Sequence, residues 1–214
     1  MKNKDIVIYG ASGHGKVIVD IVEKSGGTVL ALVDDDETLW DKSFCGYPVW
    51  GGLNHLLQVK KKEKFAVIVG IGDNRNRQKI QQRLAKEDFL FGTAIHPSVQ
   101  LGKDVFVAEG TVVMANSVIN PGTRVGSHCI VNTAVTIDHD CIIGDIVHLS
   151  PGAHLGGTVR VDASSWIGLG ASIINNIHVA EHAIVGAGAV VIRDVEPHTV
   201  VVGNPAAFLR KIYT

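Results

Sequence analysis

The chain has 214 residues, 46% of them hydrophobic and 19% charged, with a formal net charge of −1. That length fits one large domain or two small ones of the usual ~100–200 residues, and the composition excludes a disordered chain, a basic nucleic-acid-binding surface and an acidic tail. No apolar run reaches the roughly 18 residues a membrane helix needs, MKNKDIVIYG is no signal peptide and three cysteines make no disulfide framework, so a cytoplasmic protein with neither a membrane nor a nucleic-acid partner is expected.

The first segment reads as α/β. A strand over Asp5–Tyr9 runs into the glycine-rich turn GASGHG, a helix from about Gly15 to Lys24, and a strand over Thr28–Val33 that ends in Asp34, Asp35 and Asp36. A third strand, Ala66–Gly70, opens into IGDNRNR, and a helix follows to about Lys86. This is the βαβ layout of a Rossmann-like mononucleotide domain, expected over residues 1–93. The span is too short for both halves of a dinucleotide fold, and Gly10, Gly13 and Gly15 are spaced GxxGxG, not GxGxxG, which argues against NAD. Backbone amides at a helix N-terminus suit phosphate. Asp34 and Asp35 end one strand and Gly72 follows another, so the strand ends converge on one crevice, as in nucleotide sites. The competing reading is that the glycines only permit close packing and the aspartates are solvated turn formers.

A composition break follows. Residues 1–98 carry 14 Lys/Arg and 12 Asp/Glu, whereas 99–193 carry only 4 and 7. Over that second stretch Leu, Ile or Val stands at every sixth position from Leu101 to Val191, and a residue of modest size stands two places earlier, as at Thr111, Cys129, Cys141 and Ser165. A period of six fits neither a helix nor a hairpin sheet, but it suits short strands with two inward side chains and tight corners. The pattern predicts a parallel β-helix over residues 94–194, three units to a coil and about five coils stacked at roughly 4.8 Å, followed by a tail over 195–214. Gly102, Asn120, Gly126, Asn132, Gly144, Gly156, Gly168 and Gly186 are the expected places for positive φ at the corners.

Seven of the ten histidines lie between His128 and His198, and none falls on an inward position. Surface placement is expected for most. A zinc site of the gamma-class carbonic anhydrase kind needs three ligands within about 2.1 Å of the metal, and the spacing of His139, His148 and His154 does not match that family's pattern. His139 differs because Asp138 and Asp140 flank it at a corner. A carboxylate beside an imidazole fixes its tautomer and makes a general base, unless the group is only a surface charge pair. His148 falls about half a coil later, on another face, so the two could meet only across a subunit boundary or act on different parts of a ligand. Cys129 and Cys141 lie on the inward track, where packing is expected and nucleophilic chemistry is not.

Taken together, IVIYGASGHGKV, VDDD, IGDNRNR, NTAVTIDHDCIIGDIVHLSPGAHLGG, IVGAGAVVIRDV and VVGNPA cover nearly the whole chain. In this order they resemble the bacterial sugar acetyltransferases of the NeuD/PglD type. The resemblance implies a left-handed β-helix that binds acetyl-CoA between subunits of a homotrimer and an N-terminal domain that binds a nucleotide-linked amino sugar. It implies Ser12, Gly13, His14, Asp34, Asp35 and Gly72 at the nucleotide sugar, His139 as base with Asp140 as its partner, His148, Leu169 and Ala187 along the acetyl-CoA cleft, and no metal. Some relatives carry Glu in place of Asp140, glycine in place of Ala187 and a basic residue in place of Ala207, a charge that Arg210 and Lys211 could supply here. The implied reaction is N-acetylation of a UDP-4-amino-sugar type of acceptor for surface glycan or glycoprotein synthesis. The alternatives are O-acetylation of a sialic acid or other sugar, a zinc-dependent hydratase, and a non-catalytic scaffold.

Overall fold

A computed structural model describes residues 5–60 and 64–212. The chain separates into two compact units that divide between Pro97 and Ser98. Among the described residues no helix is long and apolar enough to cross a membrane.

The first unit contains β1 (Asp5–Tyr9), α1 (Gly13–Lys24), β2 (Thr28–Val33), β3 (Ser43–Phe44), β4 (Tyr47–Trp50), α2 (Leu53–Lys60), β5 (Ala66–Val69) and α3 (Asn74–Lys86). The sheet order is β3-β4-β2-β1-β5, parallel throughout except for the β3–β4 hairpin. Strands β1 and β5 are almost wholly buried, which explains their unbroken apolar sequences, since a parallel sheet is covered on both faces. Val7, Tyr9, Val67 and Val69 pack with Leu56, Ile80 and Leu84 from α2 and α3, and α1 contributes Ile18, Ile21 and Val22. Asp73 caps α3 by accepting from the Asn76 amide at 2.8 Å, leaving the preceding turn fixed at the end of β5.

The second unit is a left-handed parallel β-helix. Between Gln100 and Val191 each strand is two residues long and lies parallel to the strand 18 residues away, as Val118 with Thr136, Arg124 with Ile142 and Ile130 with His148, and the last two strands, Thr199–Val202 and Ala207–Lys211, are longer and pair antiparallel. Three hexapeptides therefore make one coil. The inward series is buried from Val113 to Val191, whereas Leu101, its first member, is 46% exposed because no coil precedes its own. The modest-sized track has a second duty. Thr111, Ser117, Thr123 and Ser165, all fully buried, donate their hydroxyls to the carbonyls of Gly126, Asn132, Asp138 and Ala180 at 2.7–2.8 Å. Cys129 and Cys141 do the same through sulfur, to Gly144 at 3.0 Å and Gly156 at 3.2 Å. Small polar side chains thus satisfy corner carbonyls that the short strands leave over.

The corners differ from the expectation. Left-handed backbone recurs at every sixth residue from Asp104 to Gly188, and ten of those fifteen residues are not glycine. The eight expected positions fall two residues earlier. Their glycines answer to crowding instead: a Cβ on Gly126 would lie 2.7 Å from the Gly144 carbonyl carbon, and one on Gly144 would lie 2.7 Å from the Ala163 nitrogen in the next coil. His128 also departs from surface placement, being buried over Gly110, whose absent Cβ makes room for its ring.

Candidate active site

In the first unit the glycine-rich turn is shaped by contact. Gly10 adopts φ 123°, and a Cβ on Gly15 would fall 2.1 Å from the Gly10 carbonyl oxygen, so α1 starts directly against the end of β1. Ser12 is the N-cap of α1 in extended conformation, with its hydroxyl directed to the Gly70 carbonyl at 3.3 Å. Gly13 and His14 open the helix, where first-turn amides have no carbonyl one turn earlier to bond and aim outward.

The two aspartates have separate duties. Asp34 accepts from the Ala11 amide at 2.8 Å and the Asp36 amide at 2.9 Å, so its carboxylate braces the turn itself. Asp35 accepts from the Tyr9 hydroxyl at 2.6 Å and meets Arg83 at 3.3 Å. Burial and that hydrogen bond push the Tyr9 phenol far above its ordinary range, so it remains a donor. Asp35 borders a depression of about 410 Å³ together with Trp40, Asn54, His55, Gln58 and Arg83. Sequence reading did not find these five, because they come from α2, α3 and the 3-10 turn that ends at Trp40, elements without a motif. Gly72 lies on the far side of the turn after β5, where its carbonyl accepts from the buried Arg77 at 2.9 Å.

In the β-helix His139 and Asp140 form the corner after the strand Thr136–Ile137. Adjacent side chains on a strand point to opposite faces, but the left-handed φ of 57° at Asp140 brings its carboxylate back beside the neighbouring ring. His139 Nδ1 donates to Asp140 Oδ2 at 2.9 Å. With the proton held on Nδ1, Nε2 carries the lone pair. Asp138 is occupied differently: its Oδ1 accepts from the Asn120 side chain and from the His139 amide, each at 2.9 Å, and those donors lower its pKa. The hydrogen bond to Asp140 raises the imidazole pKa, with smaller contributions from the charges of Asp138 and Asp140.

His148, Leu169 and Ala187 come together at a different corner, where they line an apolar cleft of about 500 Å³ with Trp166, Ser150 and Ile184. His148 stacks on the Trp166 indole with ring centroids 5.1 Å apart and an 11° interplanar angle. Trp166 Nε1 in turn donates to Ser150 Oγ at 2.8 Å. Leu169 is 59% exposed at the rim. Trp166 is a wall of the cleft that sequence reading passed over; its outward place 18 residues after His148 was the available signal. Among the described residues no three His, Cys, Asp or Glu side chains are grouped as a metal site.

The sequence and fold are shared with a known group of proteins. Residues 5–84 match the family model of the PglD N-terminal domain. The structure of PerB from Caulobacter crescentus in complex with CoA and GDP-perosamine superposes with a TM-score of 0.92, at 35% identity over 98% of this chain and 99% of that one. The chain belongs to the PglD-type sugar acetyltransferase family. Within this family, the acetyltransferase domain of PglB from Neisseria gonorrhoeae, solved with acetyl coenzyme A, is 38% identical with a TM-score of 0.88 and covers 97% of this chain and 100% of that one. UDP-N-acetylbacillosamine N-acetyltransferase of Bacillus subtilis is 38% identical over 117 residues. The match spans about half the length of that curated relative (52%) and under a third of the next (30%).

Proposed function

We propose that this chain transfers the acetyl group of acetyl-CoA to the amino group of a nucleotide-linked amino sugar, with His139 as general base. The observation that carries the reading is the His139–Asp140 pair: one imidazole nitrogen is anchored by a carboxylate at 2.9 Å and the other is left to accept a proton. An ammonium has no lone pair to attack a thioester. His139 takes a proton from that ammonium, the amine so freed attacks the thioester carbon, Asp140 stabilises the imidazolium, and as the C–S bond breaks the imidazolium returns its proton to the sulfur, so that CoA leaves as the thiol while the acylated nitrogen sheds its second proton to solvent. Transfer is direct, since both β-helix cysteines are buried with their sulfurs turned to carbonyls.

His148, Leu169 and Ala187 hold acetyl-CoA in this reading, while Ser12, Gly13, His14, Asp35 and Gly72 receive the nucleotide sugar and Asp34 supports them from behind. Relatives solved with CoA and GDP-perosamine or with acetyl coenzyme A support these two classes of ligand. The imidazole and the cleft lie on different corners of the coil, after the strands Thr136–Ile137 and His148–Leu149 respectively. A homotrimer with the active site between subunits brings one chain's His139 to its neighbour's cleft, and closed three-fold symmetry repeats that contact three times. The enzyme works in the cytoplasm, where acetyl-CoA is held.

The test is thiol release from acetyl-CoA with a panel of GDP-, UDP- and dTDP-linked 4-amino sugars and sialic acids, with the product identified by mass. N-acetylation of one amino sugar is the expected result; turnover of sialic acids alone would overturn the choice of acceptor. Asp140→Asn tests the pair. Because Asp140 holds the His139 pKa above the ordinary imidazole value, and the base works only when neutral, activity falls as pH drops through that pKa. Removing the carboxylate lowers the pKa, so the acid limb of kcat moves to lower pH while the plateau drops about tenfold. A pH–rate profile from pH 5 to 9 checks both.

A further inference from the structure

The corner that carries His139 and Asp140 has a glycine against it in each neighbouring coil. His139 and Gly157 occupy equivalent places in successive coils, with the Thr158 amide donating to the His139 carbonyl at 2.9 Å. A Cβ on Gly157 would lie 2.6 Å from His139 Nε2 and 2.7 Å from Cε1. In the preceding coil, a Cβ on Gly122 would lie 2.5 Å from Asp140 Oδ1. The two glycines are present for different reasons. Gly122 has φ 77°, a left-handed conformation that by itself favours glycine, whereas Gly157 lies outside that region, and its left-handed neighbour is Thr158. Backbone conformation therefore does not call for glycine at 157. One coil further, Asn175 and Asn176 carry full side chains, and Thr158 hydrogen-bonds Asn176, so the corner itself tolerates bulk.

We propose that Gly157 is a positioning residue for His139: the side chain it lacks is the space beside Nε2, and a residue with a Cβ there turns the imidazole off Asp140 and crowds the nitrogen that accepts the proton. The inference rests on His139 being the base. A methyl group 2.6 Å from a ring nitrogen is well inside van der Waals contact, and the backbone pairing on either side leaves the ring as the part free to move. Rotation about its side-chain bonds carries Nδ1 away from the carboxylate.

The experiment uses the full chain and two variants, Gly157→Ala and Gly157→Ser, with thermal unfolding as the check on folding. Histidines labelled at Cε1 are titrated by NMR without substrate, and His139→Asn identifies the His139 signal. The expected result is a His139 midpoint lowered toward the ordinary imidazole value in Gly157→Ala and at least as far in Gly157→Ser. With the acceptor found by the panel, kcat drops roughly tenfold or more while KM for acetyl-CoA stays within about twofold. An unmoved midpoint overturns the proposal whatever the rate. A lowered midpoint in a protein whose wild type is silent on every acceptor counts against the assigned reaction and leaves the positioning role standing, so the two failures are distinct.

Discussion

His139→Ala is expected to lower kcat by roughly a thousandfold, within the 10²–10⁴ range that a positioned base supplies, while KM for acetyl-CoA changes by less than about twofold. The asymmetry follows from placement. His139 does not line the cleft formed by His148, Trp166, Leu169 and Ala187, so removing its ring leaves those walls intact and takes away only the proton acceptor. The residual rate reflects two substrates held together, which contributes several kcal/mol without any base. It has its own pH signature. In the wild type the rate levels off once His139 is neutral; in the variant only the fraction of acceptor already deprotonated reacts, so the rate goes on rising with pH toward the amine's own pKa. Initial rates of thiol release between pH 6 and 9 read both features. A variant with wild-type kcat would show that Nε2 takes no part in the chemistry.

Gly15→Ala is expected to cost the first unit about 3 kcal/mol, the upper part of the usual range for overpacking. Its Cβ would sit 2.1 Å from the Gly10 carbonyl oxygen, a backbone atom held in turn by the Gly10 amide bond to Val33 and the Gly70 bond to Tyr9. Relief requires α1 to move away from β1, which also disperses the first-turn amides assigned to the nucleotide. A calorimetric transition for that unit lowered by roughly 10–20 °C, with loss of GDP or UDP binding and acetyl-CoA binding retained, is the expected outcome. Gly13→Ala is the contrast, since a Cβ at Gly13 meets nothing within 4 Å, and unit stability holds. Equal melting for Gly15→Ala and the wild type would mean that the turn yields easily.

The β-helix was legible because its period is written in every coil. An inward Leu, Ile or Val must recur at every sixth place when two residues of each hexapeptide face a core too narrow for anything else, and the observed register of 18 repeats that arithmetic strand by strand. The α/β unit was legible at β1, β2 and β5 from their apolar runs, and at α1 and α3 from the turns GASGHG and IGDNRNR that lead into them. The hairpin of β3 and β4 was not, because a two-residue strand and one containing Pro48 carry no periodicity of their own and form through pairing with β2. Left-handed corners were misplaced by two residues because glycine was read as a marker of positive φ. In a stack of coils its commoner duty here is to let the next coil approach, while Asp140, Ile146 and Thr158 accept the left-handed turn.

The sequence by itself determined the two-unit architecture, the inward and outward faces, the family resemblance and the histidine flanked by acids. Only the tertiary structure decided which acid serves it. Asp138 and Asp140 are equivalent as neighbours in sequence, but Asp138 is tied to Asn120, a residue of the preceding coil, and a left-handed φ turns Asp140 back onto the ring. The same holds for Trp166 behind His148, for Arg83 and Tyr9 on Asp35, and for the room that Gly157 leaves beside Nε2. Apart from the adjacent His139 and Asp140, each of these contacts joins residues at least 18 apart in the chain, and a local pattern carries no information about distances that exist only once strands and coils are packed.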